Sequence, residues 1–180
     1  MTRLVRLGMV LPLLVGGALG GSAPADAPAA PSSPAAGSAG TWLWPVQGAV
    51  LRGFDPPDNP YSAGHRGIDI AARVGTTVLA PESGTVTFAG KVAGQLYVTI
   101  DHGSGVLSTC SFLSDVLVHK GDVVKRGTPI ARSGSGHPGS ALPTHLHLGV
   151  RVAGNYVDPM TFLAPPSVVD LIRLAALLAA

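Results

Sequence analysis

Several residue types that usually mark a hydrolytic site or a secreted scaffold are scarce in this chain. Cys110 is the one cysteine in 180 residues, so no intrachain disulfide can form and the fold must be held by packing or by a metal. Glutamate occurs once, as Glu82 within the turn-like stretch APESGT, and there is no His-Glu-x-x-His pattern. A metallohydrolase of the kind that carries its glutamate base on a helix therefore has no candidate base. The serine-nucleophile pattern G-x-S-x-G is missing, and Cys110 has no local partner signature. Charge is sparse and balanced, with 12 basic against 10 acidic residues. Arg3, Arg6 and Asp26 fall within the first 27 positions, and without them the charges nearly cancel. That excludes the basic stripe a nucleic-acid binder needs. Three Tyr and four Phe also make a poor base-stacking surface.

What is present divides the chain into four. Residues 1–27 read as an export signal: Arg3 and Arg6, then the apolar run LGMVLPLLVGGALG, then small residues in GGSAPADA that offer cleavage sites. The run is shorter than the roughly 20 residues of a spanning helix, although an uncleaved anchor is the competing reading. No cysteine follows it to carry a lipid. Residues 28–40 continue a Pro/Ala/Ser/Gly composition that cannot bury enough apolar surface to order itself, and they read as a linker. Residues 41–164 form the domain. Residues 165–180, PSVVDLIRLAALLAA after Pro165, read as an apolar helical tail too short to span a bilayer.

Within the domain, short runs rich in Val, Ile, Leu and Thr alternate with Gly, Pro, Asp and Ser, which predicts an all-β fold. Two stretches, VGTTVLAPESGTVTFAG and VHKGDVVKRGTPIARSG, resemble each other, each passing from one short strand into a second. In PTHLHLGVR, strand alternation puts His145, His147 and Gly149 on one face and Leu146, Leu148 and Val150 on the other, apolar one. In GHRGIDIAA the same alternation puts His65, Gly67 and Asp69 opposite Ile68 and Ile70. A single histidine in a strand is more often structural. Two imidazoles and a carboxylate around an open position, however, match a catalytic zinc site. Whichever of His145 and His147 does not bind metal is then the leading base or oxyanion partner.

These segments, with VTIDHGSGVLST and THLHLGVRVAGNYVDPMTFL, resemble in order the lysostaphin-type (LytM-like, beta-lytic) zinc metallopeptidases, from about Trp42 to Leu163. The resemblance implies a small antiparallel β domain with a groove, built on a duplicated hybrid motif. It implies one Zn²⁺ held by His65, Asp69 and His147, with His145 as the catalytic histidine. It also implies hydrolysis of peptide cross-links or stem peptides in peptidoglycan. The export signal places the protein outside the cytoplasm, extracellular, wall-associated or periplasmic, and a monomer is expected. One position departs. Where the family carries a second catalytic histidine in a Tyr-x-His-Leu-Ser segment, this chain has CSFLS, with Cys110 in the tyrosine place and Phe112 in the histidine place. Phenylalanine can neither donate to an oxyanion nor move a proton, a loss worth on the order of a hundredfold in rate. His137, in the loop SGSGHPGSALP, is the candidate substitute. By alternation Cys110 shares a face with Phe112 and would look into the groove, or else fill space as a small buried hydrophobe. His102 and His119 fall in turns and read as structural or surface residues. The alternative to the enzyme is a catalytically depleted relative that binds wall peptides or regulates another wall hydrolase. A lipoyl- or biotinyl-carrier reading of VHKGDVVKRGTPIA fails for want of a lysine at a hairpin tip.

Overall fold

The computed structural model describes residues 40–59 and 62–165; the expected signal, nearly all of the linker and all of the tail beyond Pro165 lie outside the described residues. The domain is all-β. Ten strands follow one another: β1 (Val50–Arg52), β2 (Ile68–Ala71), β3 (Thr77–Leu79), β4 (Gly84–Val92), β5 (Gln95–Asp101), β6 (Val106–Val116), β7 (Val123–Val124), β8 (Pro129–Ser133), β9 (His145–Val152) and β10 (Asn155–Val157). A 3-10 turn at Pro159–Thr161 is the one helical element among the described residues. No helix there is long and apolar enough to cross a membrane.

The strands form one antiparallel sheet in the order β1-β2-β9-β6-β5-β4-β7, with β10 beside β9, and β8 bridging β6 and β3. Two-residue turns set two of its hairpins. Ala93 and Gly94 between β4 and β5, and Ala153 and Gly154 between β9 and β10, all have positive φ. That geometry matches the right-handed twist of the flanking strands. The two similar sequence stretches pair crosswise: β3 of the first meets β8 of the second, and β4 of the first meets β7 of the second. Each copy therefore completes the other's edge.

One face of the sheet carries the core. Ile68 and Ile70 from β2, Leu146, Leu148 and Val150 from β9, and Val98 and Ile100 from β5 are all buried. Side chains of this size stabilise the fold by about 1.5–3 kcal/mol each when fully buried. The aliphatic side of β9 thus lies where alternation places it, and this fixes the opposite side of the strand toward the groove. The ends of the domain are clasped. Trp42 donates its backbone N–H to Phe162 O at 2.8 Å and accepts from Ala164 N at 2.8 Å. Its indole packs against His102 and Phe162, with ring centroids 4.5 and 4.8 Å away.

Candidate metal centre

His65 stands just before β2 and is fixed by the loop that follows β1. Its backbone exchanges two hydrogen bonds with Asp55, and its ring Nδ1–H donates to Gly53 O at 2.7 Å. With that proton committed, Nε2 presents a lone pair. Asp69 on β2 and His147 on β9 are register partners, so their side chains leave the sheet side by side. The three groups converge. His65 Nε2 lies 3.1 Å from Asp69 Oδ1 and 3.1 Å from His147 Nδ1, and His147 Nδ1 lies 2.9 Å from Asp69 Oδ1.

This donor set fits a zinc ion. Ligands about 2.0–2.1 Å from a tetrahedral zinc stand about 3.3–3.4 Å apart, so the triangle needs to open by only a few tenths of an ångström. A proton on His147 Nδ1 satisfies the group without a cation; once it leaves, three lone pairs face one point. Burial works to raise the Asp69 carboxyl's pKa. The hydrogen bond with His147 and the imidazoles of His65, His147 and His145 outweigh it, and the net displacement is downward. Asp69 is therefore ready as an anionic ligand. Gly67 completes the cradle: a Cβ there would come within 2.3 Å of Leu148 O and 2.7 Å of His147 Nε2. Only glycine leaves room for the imidazole.

Two cavities share His147. One, about 390 Å³, is lined by the three convergent residues together with Arg52, Phe112 and His137. The other, about 380 Å³, runs over Tyr97, Ser111, Gly149, Arg151 and Tyr156. The triad thus sits in the wall of a groove with space on both sides.

The model of peptidase family M23 matches residues 63–159, which spans β2 through β10 and all three convergent side chains. The chain belongs to peptidase family M23. It is similar to the catalytic domain of lysostaphin from Staphylococcus simulans, at 30% identity and TM-score 0.53, covering 63% of this chain and 90% of that one. A zinc-containing peptidase from Vibrio cholerae matches at 32% identity and TM-score 0.59, covering 69% of this chain and 41% of that one. Among curated relatives, an uncharacterised protein of Mycobacterium tuberculosis is 36% identical over 126 residues, 67% of this chain and 50% of the relative. The murein hydrolase activator NlpD of Escherichia coli is 34% identical over 126 residues, 68% of this chain and 31% of the relative. The chain therefore spans half or less of the length of these curated relatives.

The rest of this M23 groove departs from simple alternation. Phe112 has φ +61°, a left-handed conformation that a bulky residue adopts at a cost of about 1–3 kcal/mol. It is the extra residue of a β-bulge: on β5, Tyr97 opposes Ser111 and the next residue, Leu96, opposes Leu113. Ser111 and Phe112 consequently both face the groove, while Cys110 and Leu113 fall on the core side. The expectation that Cys110 shares Phe112's face is thereby overturned. Cys110 is a buried small hydrophobe, and burial pushes its thiol up to about 12.

His145 is fully buried. Its Nδ1–H donates to Pro143 O at 2.7 Å, and its Nε2 accepts the backbone N–H of His137 at 3.2 Å. Nε2 also lies 3.9 Å from Asp69 Oδ2. Gly136 (φ +91°) lies flat on the ring, where a Cβ would approach to 2.4 Å. His137 itself is exposed, stands edge-on to Phe112 with centroids 5.1 Å apart, and lines the cavity of the triad. The two turn histidines separate cleanly. His102 is buried between Ser83 O (2.9 Å) and Ser108 Oγ (2.7 Å), whereas the side chain of His119 is 92% exposed. Sequence reading did not single out Gly136, Arg52 or Arg151; nothing in their local sequence distinguishes them from other turn and strand residues.

Proposed function

We propose that the protein is an exported zinc endopeptidase that hydrolyses peptide bonds of peptidoglycan, with His65, Asp69 and His147 as the metal ligands. The observation that carries this reading is the convergence of three ligand atoms within 4.8 Å in the wall of an open groove. A zinc ion held there would supply a Lewis acid for the scissile carbonyl and lower the pKa of water toward neutrality. His145, neutral with its proton on Nδ1, presents Nε2 as the proton acceptor beside Asp69. For that role the backbone N–H of His137 must let go of it, which requires the Gly136–His137 turn to shift. Phe112 supplies no proton and no donor. The ring of His137, already against Phe112, is the group positioned to donate to the developing oxyanion in its place. The lipoprotein and murein-related names of several relatives support a place in the cell envelope.

A second reading is favoured by one specific observation: both ring nitrogens of His145 are already hydrogen-bonded, and Phe112 occupies the other catalytic place. On that reading the groove binds wall peptides or regulates another wall hydrolase, as NlpD's name says of that relative. Incubating the protein, with zinc confirmed bound, with purified peptidoglycan of several wall chemistries separates the two. New free amino groups are the expected result. Their absence from every wall type sinks the enzyme reading.

A further inference from the structure

The half of the groove that runs away from the triad along β9 has its own chemistry. Alternation places His147, Gly149 and Arg151 on one face of the strand. Gly149 is a bare step between the other two. A Cβ there would come 3.2 Å from Arg66 O and 3.7 Å from the Tyr156 ring, so the missing side chain admits the close approach of Arg66's own backbone and of the Tyr156 ring. Past it, the Arg151 guanidinium lies over the Tyr156 ring, 5.3 Å from the centroid. That stacking orients the cation while leaving its N–H edge available. Phe88, Val92 and Tyr156 border the same cavity with 38%, 52% and 43% of their surface exposed, an apolar wall left uncovered. No carboxylate lines this cavity. Among the described residues no ion pair engages Arg151. On the other side of the triad, Arg52 is the register partner of Asp69 and lines a cavity whose one carboxylate is Asp69 itself.

An arginine therefore stands on each side of the metal centre, and the lining carboxylate is committed to the triad. Such a field attracts anionic ligands, and a guanidinium held by stacking suits a carboxylate. We propose that Arg151 forms a subsite for a carboxylate of the bound peptide, so that this groove selects acidic peptides over uncharged ones. The proposal rests on the wall-peptide reading above and adds the substrate class. Four residues at about 3.3 Å each put Arg151 about 13 Å along β9 from His147. The recognised carboxylate accordingly lies within about four residues of the peptide bond held at the triad. The exposed aromatics beside Arg151 pack on the side-chain methyl and methylene groups of the intervening residues, which glycine residues lack.

The test is calorimetric titration of the full-length, zinc-loaded protein with three soluble peptides. They are a stem tetrapeptide with free carboxylates, the same peptide amidated at every carboxyl, and pentaglycine amide. The acidic peptide is expected to bind at least about tenfold more tightly than either other, with a preference that shrinks as salt rises. Arg151→Gln should remove most of that preference, and Arg151→Lys should retain part of it, with both variants checked for unchanged melting temperature. Equal binding of the acidic and amidated peptides overturns the proposal, as does an undiminished preference in folded Arg151→Gln. Release of amino groups is followed in the same samples. Preference without cleavage counts against the hydrolase reading alone; cleavage without preference counts against this subsite alone.

Discussion

The two sides of the groove differ in how completely they are equipped. On the proposed ligand side, Asp69 and His147 meet on the regular pairing of β2 with β9 and His65 joins them from its bridge to Asp55, with Gly67 keeping the space clear. On the proposed catalytic side, Phe112 sits on a bulge, His145 lies under a glycine-rich turn, and His137 stands exposed beside them. A pair of side chains set by sheet register, as Asp69 and His147 are, withstands the loss of a neighbour, because its geometry comes from backbone pairing. A proton-transfer site built on a bulge and a loop depends on each side chain separately. On the proposed reading, one fold can thus keep its metal chemistry while its catalytic chemistry is altered.

That contrast can be pressed from both sides. Phe112→His, made in a His137→Ala background so that it supplies the donor there, should raise peptidoglycan hydrolysis on the order of a hundredfold over His137→Ala alone without changing zinc content, measured as released amino groups per bound metal. No gain would mean that the bulge does not aim this residue at the reacting carbonyl. On the ligand side, Gly67→Ala pushes a methyl into His147 and should weaken zinc affinity by roughly ten- to a hundredfold, read by competition with a chelating dye. Unchanged affinity would show that the imidazole has slack the packing does not suggest.

Two smaller effects concern polar groups outside the groove. Burial holds the His102 pKa below its usual 6.5, against the opposing pull of Ser83 O, Glu82 and Asp101. The unfolded chain therefore takes up this proton first as pH falls. The associated stability is complete above about pH 6.5 and is lost progressively below it. His102→Gln should lose less melting temperature than the parent between about pH 7.5 and 5.5. The smallest effect is at Cys110, whose thiol, pushed up to about 12, should not react with a disulfide reagent at mildly alkaline pH until the protein is unfolded. Rapid labelling of the folded protein would put Cys110 back in the groove.

Much of the facing of β2 and β9 side chains could be read before the fold was known, because it follows from period-two alternation. Leu146 and Leu148 face the core and His147 faces the groove as the strand pattern requires. The meeting of His65 with Asp69 needed more than alternation, since His65 precedes β2 and is placed by its bridge to Asp55. The catalytic side was less legible for a physical reason. A bulge adds one residue and reverses facing beyond it, so the inference from Phe112 to Cys110 failed at Phe112's own φ of +61°. The cover over His145 comes from Gly136 in the eleven-residue loop 134–144 between β8 and β9, which has no periodicity to read. The internal similarity was visible, but its crosswise pairing of β3 with β8 and β4 with β7 was not, because similarity says nothing about which copy completes which.

The claim that metal binding and catalysis reside in separable halves is tested most directly by zinc stoichiometry and hydrolysis in His145→Ala beside His147→Ala. The account predicts that His145→Ala keeps one zinc per chain and loses hydrolysis, while His147→Ala loses both. Equal loss of zinc in the two variants, or equal retention, would contradict it.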